Sequence, residues 1–339
     1  MRVFLTGGSG FVGQRLIRQL RSEGHTVLAL ARSTVSERKV AEAGAQPVRG
    51  DLAGLVMEGD AVATPPAWLK LLYDVDAVVH AAARMEFWGD DAGFRADNHD
   101  PSVALHAAAV AAKVPRFVLI SAAGVSTGTQ RAVVVDEDTD NGTPVIAYCR
   151  IKLATENALR AVVSPGTTLV ILRPPLVWGA GMNIAETAAD AAKGRFLWID
   201  GGRHVVDFIH VGNLADAVLL ALTQGRHGVP YYVTDGSPMA VRDFFTPLLA
   251  SQGVDVSAAR SLPSSVVAPI VALMDLGARV LRRRTPPPLT NWLVAFLGRD
   301  RVYDISAARN VLGYRPRVSL DTGLLEMATL AGLDHADAA

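Results

Sequence analysis

The sequence is poor in cysteine, in net charge and in uninterrupted apolar runs. Its 339 residues include one cysteine, Cys149, so no internal disulfide forms, which is typical of a reducing cytoplasm. Lys plus Arg and Asp plus Glu number 33 each, so no net charge attracts nucleic acid or an anionic membrane. We therefore expect a cytoplasmic protein that does not bind nucleic acid.

Long apolar runs are missing as well. The longest apolar stretch, residues 266–281, is interrupted by Pro269, Asp275 and Arg279, and an unpaired carboxylate is costly in hydrocarbon. The apolar run at residues 1–7 is too short for a signal peptide. We expect neither a membrane span nor a targeting segment.

The sequence does contain a regular alternation of short apolar runs with helical patterns. Leu16, Ile17 and Leu20 fall on one helical face between the first two runs. Buried parallel strands are predicted at residues 3–5, 27–30, 77–79, 117–120 and 169–172. This alternation predicts an α/β fold with a Rossmann-like, doubly wound parallel sheet.

A glycine-rich turn follows the first strand and opens the first helix. Glycines in this context allow a tight turn and let backbone N–H groups meet a pyrophosphate at the positive end of the helix. The candidate dinucleotide-binding residues here are Gly7, Gly10, Phe11, Val12 and Gly13. No residue pattern predicts a metal site.

The end of the second strand indicates which dinucleotide is bound. An NAD site places an acidic side chain there, but this sequence has Arg32 followed by Ser33. A guanidinium pairs with a 2′-phosphate, so NADP(H) is favoured, with NAD(H) as the alternative. Further cofactor contacts are predicted after the third and fourth strands, at Asp51, Leu52, Ala81, Ala82 and Ala83.

Beyond residue 173 the alternation weakens and Pro and Gly become frequent. We predict that residues 1–173, with a return segment at 204–226, form an NADP(H)-binding Rossmann domain. Residues 174–203 and 227–339 are predicted to form a smaller C-terminal α/β lobe that binds the substrate.

Tyr148 and Lys152 lie one helical turn apart on one face of a predicted helix. A free tyrosine has a pKa of about 10, and a neighbouring ammonium stabilises the phenolate. Tyr148 can then exchange a proton with a substrate oxygen, while Lys152 can also hold the cofactor ribose. Both are candidate catalytic and cofactor-binding residues.

Together these motifs resemble the extended short-chain dehydrogenase/reductases of the NAD-dependent epimerase/dehydratase superfamily. The matching segments occur in the family order: the turn at 6–13, Tyr148 with Lys152, Arg173-Pro174 and His210-Val211-Gly212-Asn213. Three further segments look most like the 3β-hydroxysteroid dehydrogenase branch and related reductases of alkyl 3-oxo acids, namely Phe87-Trp88-Gly89, Trp178-Gly179 and residues 303–316.

The resemblance implies hydride transfer between NADP(H) and a hydroxyl or ketone on a hydrophobic, sterol-like or alkyl 3-oxo acid-like substrate. It also implies a Ser or Thr partner for the Tyr–Lys pair. Here the sequence departs from the family, because Ala122 stands at the usual Ser/Thr position and Ser121 lies one residue earlier. Ser121 is kept as the third catalytic candidate.

Two other functions remain open. A sugar-nucleotide epimerase or dehydratase on this scaffold needs cations for a diphosphate, and Arg195 and Arg203 are the candidates. A non-catalytic NADP(H)-binding sensor or structural protein is consistent with Ala122. By resemblance, a homodimer is expected through the helices around 101–114 and 148–163.

Apolar side chains indicate where substrate and membrane contacts arise. Large residues of the second lobe and the cofactor mouth are candidates for a hydrophobic pocket or for ordinary core: Met85, Phe87, Trp88, Trp178, Phe196 and Trp198. A helical stripe opposite Asp275, Arg279 and Arg282 predicts peripheral membrane contact or lobe core: Val267, Ile270, Val271, Met274, Ala278 and Leu281.

Overall fold

A parallel sheet of seven strands forms the centre of the molecule. The structure, a computed structural model, describes residues 1–86, 88–128, 134–281 and 290–332, with the backbone alone at 279, 280 and 293. The strands in chain order are β1 (Arg2–Thr6), β2 (Thr26–Ala31), β3 (Gln46–Arg49), β4 (Met57–Glu58), β5 (Ala61–Val62), β6 (Ala77–His80), β7 (Arg116–Ile120), β8 (Val134–Val135), β9 (Thr168–Arg173), β10 (Leu176–Trp178), β11 (Leu197–Ile199), β12 (Val205–Val206), β13 (Phe208–His210), β14 (Pro230–Tyr232), β15 (Met239–Ala240), β16 (Arg260–Leu262) and β17 (Val302–Tyr303).

The helices connect these strands and cover both faces of the sheet. In chain order they are α1 (Phe11–Ser22), α2 (Thr34–Glu42), α3 (Asp91–Phe94), α4 (Asp100–Ala111), α5 (Ala147–Arg160), α6 (Ala185–Ala192), α7 (Val211–Ala221), α8 (Val241–Ala250), α9 (Ser264–Val280), α10 (Asn291–Leu297) and α11 (Leu320–Ala331). Leu16, Ile17 and Leu20 are the buried face of α1, as predicted.

The strand order confirms the predicted doubly wound sheet. It runs β14-β9-β7-β6-β1-β2-β3, and every pair in it is parallel. The chain winds outward from β1 to β3 and then returns to the other side of β1 at β6. In sheets of this kind the ligand crevice lies at the carboxyl ends of the strands where the winding reverses. Here that place is between β1 and β6.

Side chains of each strand alternate between two cores, because a strand repeats every two residues. Val3 and Leu5 of β1 pack on one face with Leu16 and Leu214, from α1 and α7. Phe4 packs on the other face with residues of α4 and α5. Burial on both faces explains why the strands read as continuous apolar runs in the sequence.

The boundary of the second lobe differs from the prediction at one strand. Residues 227–339 were assigned to the lobe, but β14 pairs with β9 and completes the central sheet. Tyr231, Tyr232 and Val233 are fully buried in the same core as β1. The run at residues 230–233 begins with Pro230 and lies where Pro and Gly are frequent, and it was not predicted as a strand. The rest of the predicted domain division remains a proposal.

The second lobe consists of short two-stranded pairings and helices. β10 pairs with β13, β11 with β16, and β12 with β15. Its core joins Trp178 and Trp198 to Phe208 and Phe244, whose rings stack with centroids 3.6 Å apart. Trp178 and Trp198, candidates for the pocket, are therefore lobe core, and Phe196 packs on the ring of Trp198.

Candidate active site

The glycine turn after β1 has the geometry of a phosphate cradle. Gly7 has a φ of +75°, and a Cβ built there would lie 2.7 Å from the backbone nitrogen of Ala82. A Cβ at Gly13 would lie 2.1 Å from the carbonyl oxygen of Gly7. Gly10 is the N-cap of α1, whose first turn carries no acidic side chain. The backbone N–H groups and the positive end of the helix are thus available to an anion.

A hydrogen-bond chain beneath the turn ties β1 to β6. The side chains of Thr6 and His80, register partners in the sheet, lie 2.7 Å apart at Oγ1 and Nδ1. His80 Nε2 lies 2.7 Å from the Ser102 hydroxyl, which itself donates to the carbonyl oxygen of Asn98. Ser102 therefore accepts from Nε2–H, Thr6 donates to Nδ1, and Ala82 N–H donates to Thr6.

This chain requires a neutral imidazole. Burial, with the positive charge of Lys152 as the next cause, lowers the pKa of His80 to about 3. His80 is therefore uncharged at neutral pH and fixes the loop that follows β6. This role of His80 was not predicted from the sequence, although Thr6 and His80 are polar side chains at the ends of two apolar strands.

The predicted cofactor residues lie at the carboxyl ends of four strands of the sheet. The structure brings together the segments after β1, β2, β3 and β6, which contain Gly7, Gly10, Phe11, Val12, Gly13, Arg32, Asp51, Leu52, Ala81, Ala82 and Ala83. Ser33 caps α2 by accepting from Ser36 N–H, and Asp51 accepts from Ala53 N–H. Arg32 is exposed and has no ion pair among the described residues.

Tyr148 and Lys152 lie in the first two turns of α5. The Lys152 ammonium is 5.9 Å from the centre of the Tyr148 ring and donates to the carbonyl oxygen of Ile120 at 3.0 Å. Burial raises the pKa of Tyr148, and burial lowers the pKa of Lys152 to about 8, against the opposing effect of Glu156. At neutral pH the phenol is protonated and the lysine is mostly a cation.

Ser121 has a different partner from the one its predicted role requires. Its hydroxyl donates to Glu156 Oε1 at 2.5 Å, in a buried cluster where Arg173 donates to both carboxylate oxygens, at 3.1 and 2.7 Å. Ala122 is in extended backbone, so its side chain points opposite to that of Ser121. The one-residue shift noted in the sequence thus turns the hydroxyl towards Glu156, and the arrangement does not support Ser121 as the catalytic hydroxyl.

Glu156 follows Lys152 in α5 at the same interval that separates Lys152 from Tyr148. It lies one further turn along α5, is fully buried, and also accepts from Arg160 at 3.1 Å. Glu156 was not predicted as a site residue, although it is a third ionisable side chain at the same interval along the helix. Its acceptance of bonds from Ser121 and Arg173 joins α5 to the ends of β7 and β9.

A pocket opens beside Tyr148. Its lining comes from the loop after β6, the end of α3, the start of α5 and the helices α9 and α10: Glu86, Trp88, Gly89, Phe94, Val145, Ile146, Ala147, Tyr148, Asp275 and Asn291. Trp88 donates from Nε1 to Asp275 Oδ1 at 2.9 Å. Trp88 is therefore the member of the predicted aromatic set that lines this pocket, Met85 is exposed, and Phe87 lies outside the described residues.

The His210-Val211-Gly212-Asn213 segment is hydrogen-bonded to residues of the second lobe. Asn213 donates to Asp235 and to the carbonyl oxygen of Val318, and it accepts from the N–H groups of Arg317 and Val318. Asp235 also accepts from His210 N–H and from Trp178. These contacts explain the segment as a structural junction.

The cations proposed for a sugar diphosphate lie on the surface of the second lobe. Arg195 forms an ion pair with Asp190, and both side chains are about half exposed. Arg203 is exposed. Neither lines the described pocket beside Tyr148.

A doubly wound parallel sheet with a glycine turn and a Tyr–Lys pair at one edge defines the class of Rossmann-like dehydrogenases and reductases. The comparison with protein families agrees: the model of the NAD dependent epimerase/dehydratase family matches residues 3–233. The chain belongs to this family, whose members depend on nicotinamide dinucleotides. Its relatives are extended short-chain dehydrogenase/reductases and include members of the 3β-hydroxysteroid dehydrogenase-like branch. The protein is an oxidoreductase.

Three relatives cover almost the whole chain. It is 32% identical to a 4-hydroxy-2-methyl-3-oxo-4-farnesyl-3,4-dihydroquinoline-1-oxide ketoreductase of Stigmatella aurantiaca, over 96% of this chain and 95% of the relative. It is 31% identical to a 2-alkyl-3-oxoalkanoate reductase of Stenotrophomonas maltophilia, over 96% and 97%. It is 28% identical to a decarboxylating sterol-4-alpha-carboxylate 3-dehydrogenase of Dictyostelium discoideum, over 96% and 99%.

The fold is shared with solved structures. UDP-glucose 4-epimerase of Thermotoga maritima superposes with a TM-score of 0.73 over 97% of this chain and 98% of its own, at 18% identity. This similarity confirms the fold class alone. Within the described ranges, no helix combines the length and the apolar content needed to cross a bilayer.

Proposed function

We propose that the protein is an NADP(H)-dependent oxidoreductase that interconverts a hydroxyl and a ketone on a hydrophobic substrate, with Tyr148 as the proton donor and acceptor. The observation that carries the proposal is the position of Tyr148 on the wall of a pocket lined by aromatic, aliphatic and polar side chains, with the Lys152 ammonium 5.9 Å from its ring centre. The reductases and the dehydrogenase among its relatives support the same reaction type.

The residues at the carboxyl edge of the sheet fit a nicotinamide dinucleotide. Because Gly7 has no Cβ, the turn packs closely against the backbone of Ala82, and because Gly13 has none, α1 packs closely against the turn. The start of α1 offers N–H groups to a pyrophosphate. When bound, the dinucleotide supplies or accepts the hydride. Gly7, Gly10, Phe11, Val12, Gly13, Asp51, Leu52, Ala81, Ala82 and Ala83 would surround it, with Lys152 on the ribose.

Tyr148 and Lys152 would handle the proton that accompanies the hydride. In reduction, the Tyr148 hydroxyl gives its proton to the ketone oxygen; in oxidation, it takes the proton back. Burial raises the pKa of Tyr148, which opposes formation of a phenolate. We assign to the Lys152 cation, 5.9 Å from the ring centre, the stabilisation of the negative charge that develops on the phenolic oxygen during proton transfer. The negative charge of Glu156 opposes the effect of burial on the pKa of Lys152. The Glu156 carboxylate would therefore act through Lys152, as a positioning residue.

Preference for NADP(H) rests on Arg32. Its side chain is exposed at the end of β2 and is not engaged by any described acidic group, so its guanidinium is available for a 2′-phosphate. The hydroxyls of Ser33 and Ser36 lie 3.0 Å apart at the start of α2, which follows Arg32 directly in the sequence. The helix dipole at this end adds to the attraction for an anion.

A hydrophobic substrate is supported by the lining of the pocket. Trp88, Phe94, Val145 and Ile146 supply apolar surface around Tyr148. The relatives that share 31 and 32% of the sequence are named as reductases of an alkyl 3-oxo acid and of a farnesylated ketone. A ketone attached to an alkyl, prenyl or steroid skeleton is therefore the proposed substrate class.

The test follows the absorbance of NADPH and NADH with hydrophobic ketones, including 3-oxosteroids and long-chain 3-oxo acids. We expect oxidation of NADPH, and a fall in kcat of roughly 10²-fold or more in Tyr148→Phe, since the proton donor is lost. Tyr73→Phe is the matched control, because Tyr73 is 72% exposed and does not line the described pocket. Turnover in Tyr148→Phe equal to that of the wild type would refute the assignment.

The same assay tests the cofactor preference. Arg32→Gln should raise KM for NADPH by roughly tenfold or more and leave KM for NADH unchanged, because only NADPH has the 2′-phosphate. Equal effects on both cofactors would show that Arg32 has a general structural role.

A further inference from the structure

Helices α9 and α10 form one side of the candidate pocket. The apolar stripe predicted on α9 is divided between core and surface, since Val267, Val271 and Ala278 are buried, whereas Ile270 and Leu281 are exposed. Val267 and Val271 belong to a core cluster of the second lobe, against which α10 packs. The buried part of the stripe is therefore lobe core, and it supports α10.

Helix α10 is held between the second lobe and the segment that follows β7. Its Val294 packs against the lobe cluster on α9. Its Phe296, on a different side of the helix, contacts Gly124: a Cβ built there would lie 2.5 Å from Phe296 Cζ and 2.6 Å from Cys149 Sγ. Gly124 is two residues from Ala122. Helix α10 is therefore a neighbour both of the segment that contains Ala122 and of α5.

The segment after β7 offers no side-chain donor to a ketone. A carbonyl oxygen has two lone pairs, and negative charge builds up on it as a hydride adds to the carbon, so a donor besides Tyr148 would stabilise the transition state. Ala122 has no polar side chain. The hydroxyls of Ser121, Ser126 and Thr127 all donate to acceptors within the protein. A second donor must therefore come from another element.

The lining of the pocket identifies that donor. Among the described lining residues, the side chains with N–H or O–H groups are those of Tyr148, Trp88 and Asn291. The single N–H of the Trp88 ring donates to Asp275. Asn291, the first residue of α10, has no hydrogen bond from its amide to another described residue. Its amide N–H groups are thus the remaining side-chain donors in the described part of this pocket.

We propose that the side-chain amide of Asn291 donates a hydrogen bond to the substrate oxygen that Tyr148 protonates, and so supplies the donor that Ala122 does not. This inference rests on the proposed function, because it concerns the same ketone. In reduction, a hydride from NADPH adds to the carbonyl carbon, the π electron pair moves to the oxygen, and the oxygen takes the Tyr148 proton. Asn291 gives up no proton and stabilises the charge on the oxygen.

Reduction of a 3-oxosteroid by the full chain with NADPH tests this role. Asn291→Leu keeps a side chain of similar size and removes the donor. We expect kcat to fall by roughly 10²-fold with KM for the steroid unchanged, because the hydrogen bond strengthens in the transition state. The loss should be the same at every pH, since an amide does not titrate. Asn310→Leu is the matched control, because Asn310 is exposed and does not line the described pocket.

A second readout does not need turnover. With NADP⁺, which cannot reduce the steroid, the infrared carbonyl band of the 3-oxosteroid should lie at lower frequency in the wild type than in Asn291→Leu, because a hydrogen bond weakens the carbonyl bond. Equal band positions would overturn the assignment, whether or not the steroid is reduced. So would a wild-type kcat in Asn291→Leu; if Tyr148→Phe is inactive in the same assay, the proposed function stands without Asn291. Circular dichroism checks that each variant is folded.

Discussion

At the scale of single residues, the carboxylate of Glu156 has an unusual set of partners. It is fully buried and is shared by Ser121, Arg160 and Arg173, while Arg173 also donates to the Tyr232 hydroxyl at 3.1 Å. A buried guanidinium without its carboxylate is costly, because the desolvation penalty remains and the compensating charge is lost. Glu156 therefore supports the ends of β7 and β9 as well as Lys152.

We expect Glu156→Gln to lower the free energy of unfolding by about 3–5 kcal/mol, as removal of one partner of a buried ion pair does. Chemical denaturation followed by circular dichroism measures the change. The control is Glu37→Gln, which removes an exposed ion pair with Arg49 and should cost about 1 kcal/mol or less. Similar losses in the two variants would mean that the buried cluster contributes no more than a surface pair.

The residues of the site differ in how far the sequence predicted them. Tyr148 and Lys152 were visible because both lie on one helix at a fixed spacing. The partner of Arg173 was hidden, since Glu156 lies on another element and only folding brings the two together. The sequence showed that Ser121 stands one position early, but not that its hydroxyl donates to Glu156, which lies on another element.

At the scale of elements, the connection between β1 and α1 depends on an unusually close approach. The α-carbon of Gly13 lies so near the Gly7 carbonyl that a methyl group would overlap with it. Packing of the helix onto the turn, and hence the direction of its first N–H groups, requires glycine at this position.

Gly13→Ala should therefore weaken NADPH binding and lower the free energy of unfolding by about 1–3 kcal/mol, because the helix must shift away from the turn. Gly166→Ala is the matched control: within the described structure, nothing lies within 4 Å of a Cβ built there. Fluorescence titration with NADPH and thermal unfolding measure both effects. Wild-type affinity and stability in Gly13→Ala would contradict the steric argument.

The elements were predicted with uneven success for a physical reason. The five inner strands are buried on both faces and appear as continuous apolar runs, whereas α1 is buried on one face and shows a helical period. β14 has three residues, and its pairing with β9 comes from tertiary contacts that no local pattern records. Helix α9 was predicted as one stripe, but its amphipathic pattern is weak because apolar residues occupy both sides.

At the scale of the whole molecule, buried histidines should make stability depend on pH. Burial lowers the pKa of His80 to about 3 and those of His106 and His210 to about 4, from an ordinary value of 6.5. The unfolded chain then binds more protons than the folded chain below pH 6.5, so stability falls as the pH falls. Asp207, whose pKa burial raises to about 6, acts in the opposite direction between its ordinary pKa of 3.8 and 6.

The contributions of these four groups add up to a fall of about 4 kcal/mol in the free energy of unfolding between pH 7 and pH 5. Urea denaturation at several pH values measures this dependence. His106→Leu should reduce the fall by about 2 kcal/mol, because one neutral buried imidazole is removed. An unchanged dependence in this variant would show that His106 is protonated in the folded protein.

The return of the chain to the central sheet at β14 limits how the protein can be divided. A fragment ending at Arg173 would leave the backbone groups of β9 without the partners that Pro230 to Tyr232 provide. Such an open strand recruits strands from other molecules, so this truncation should aggregate on expression. The smallest stable nucleotide-binding unit must extend to Val233, the residue at which the family match also stops. The nucleotide-binding domain therefore cannot be separated from the lobe segment at residues 174–203, which lies between β9 and β14 in the chain.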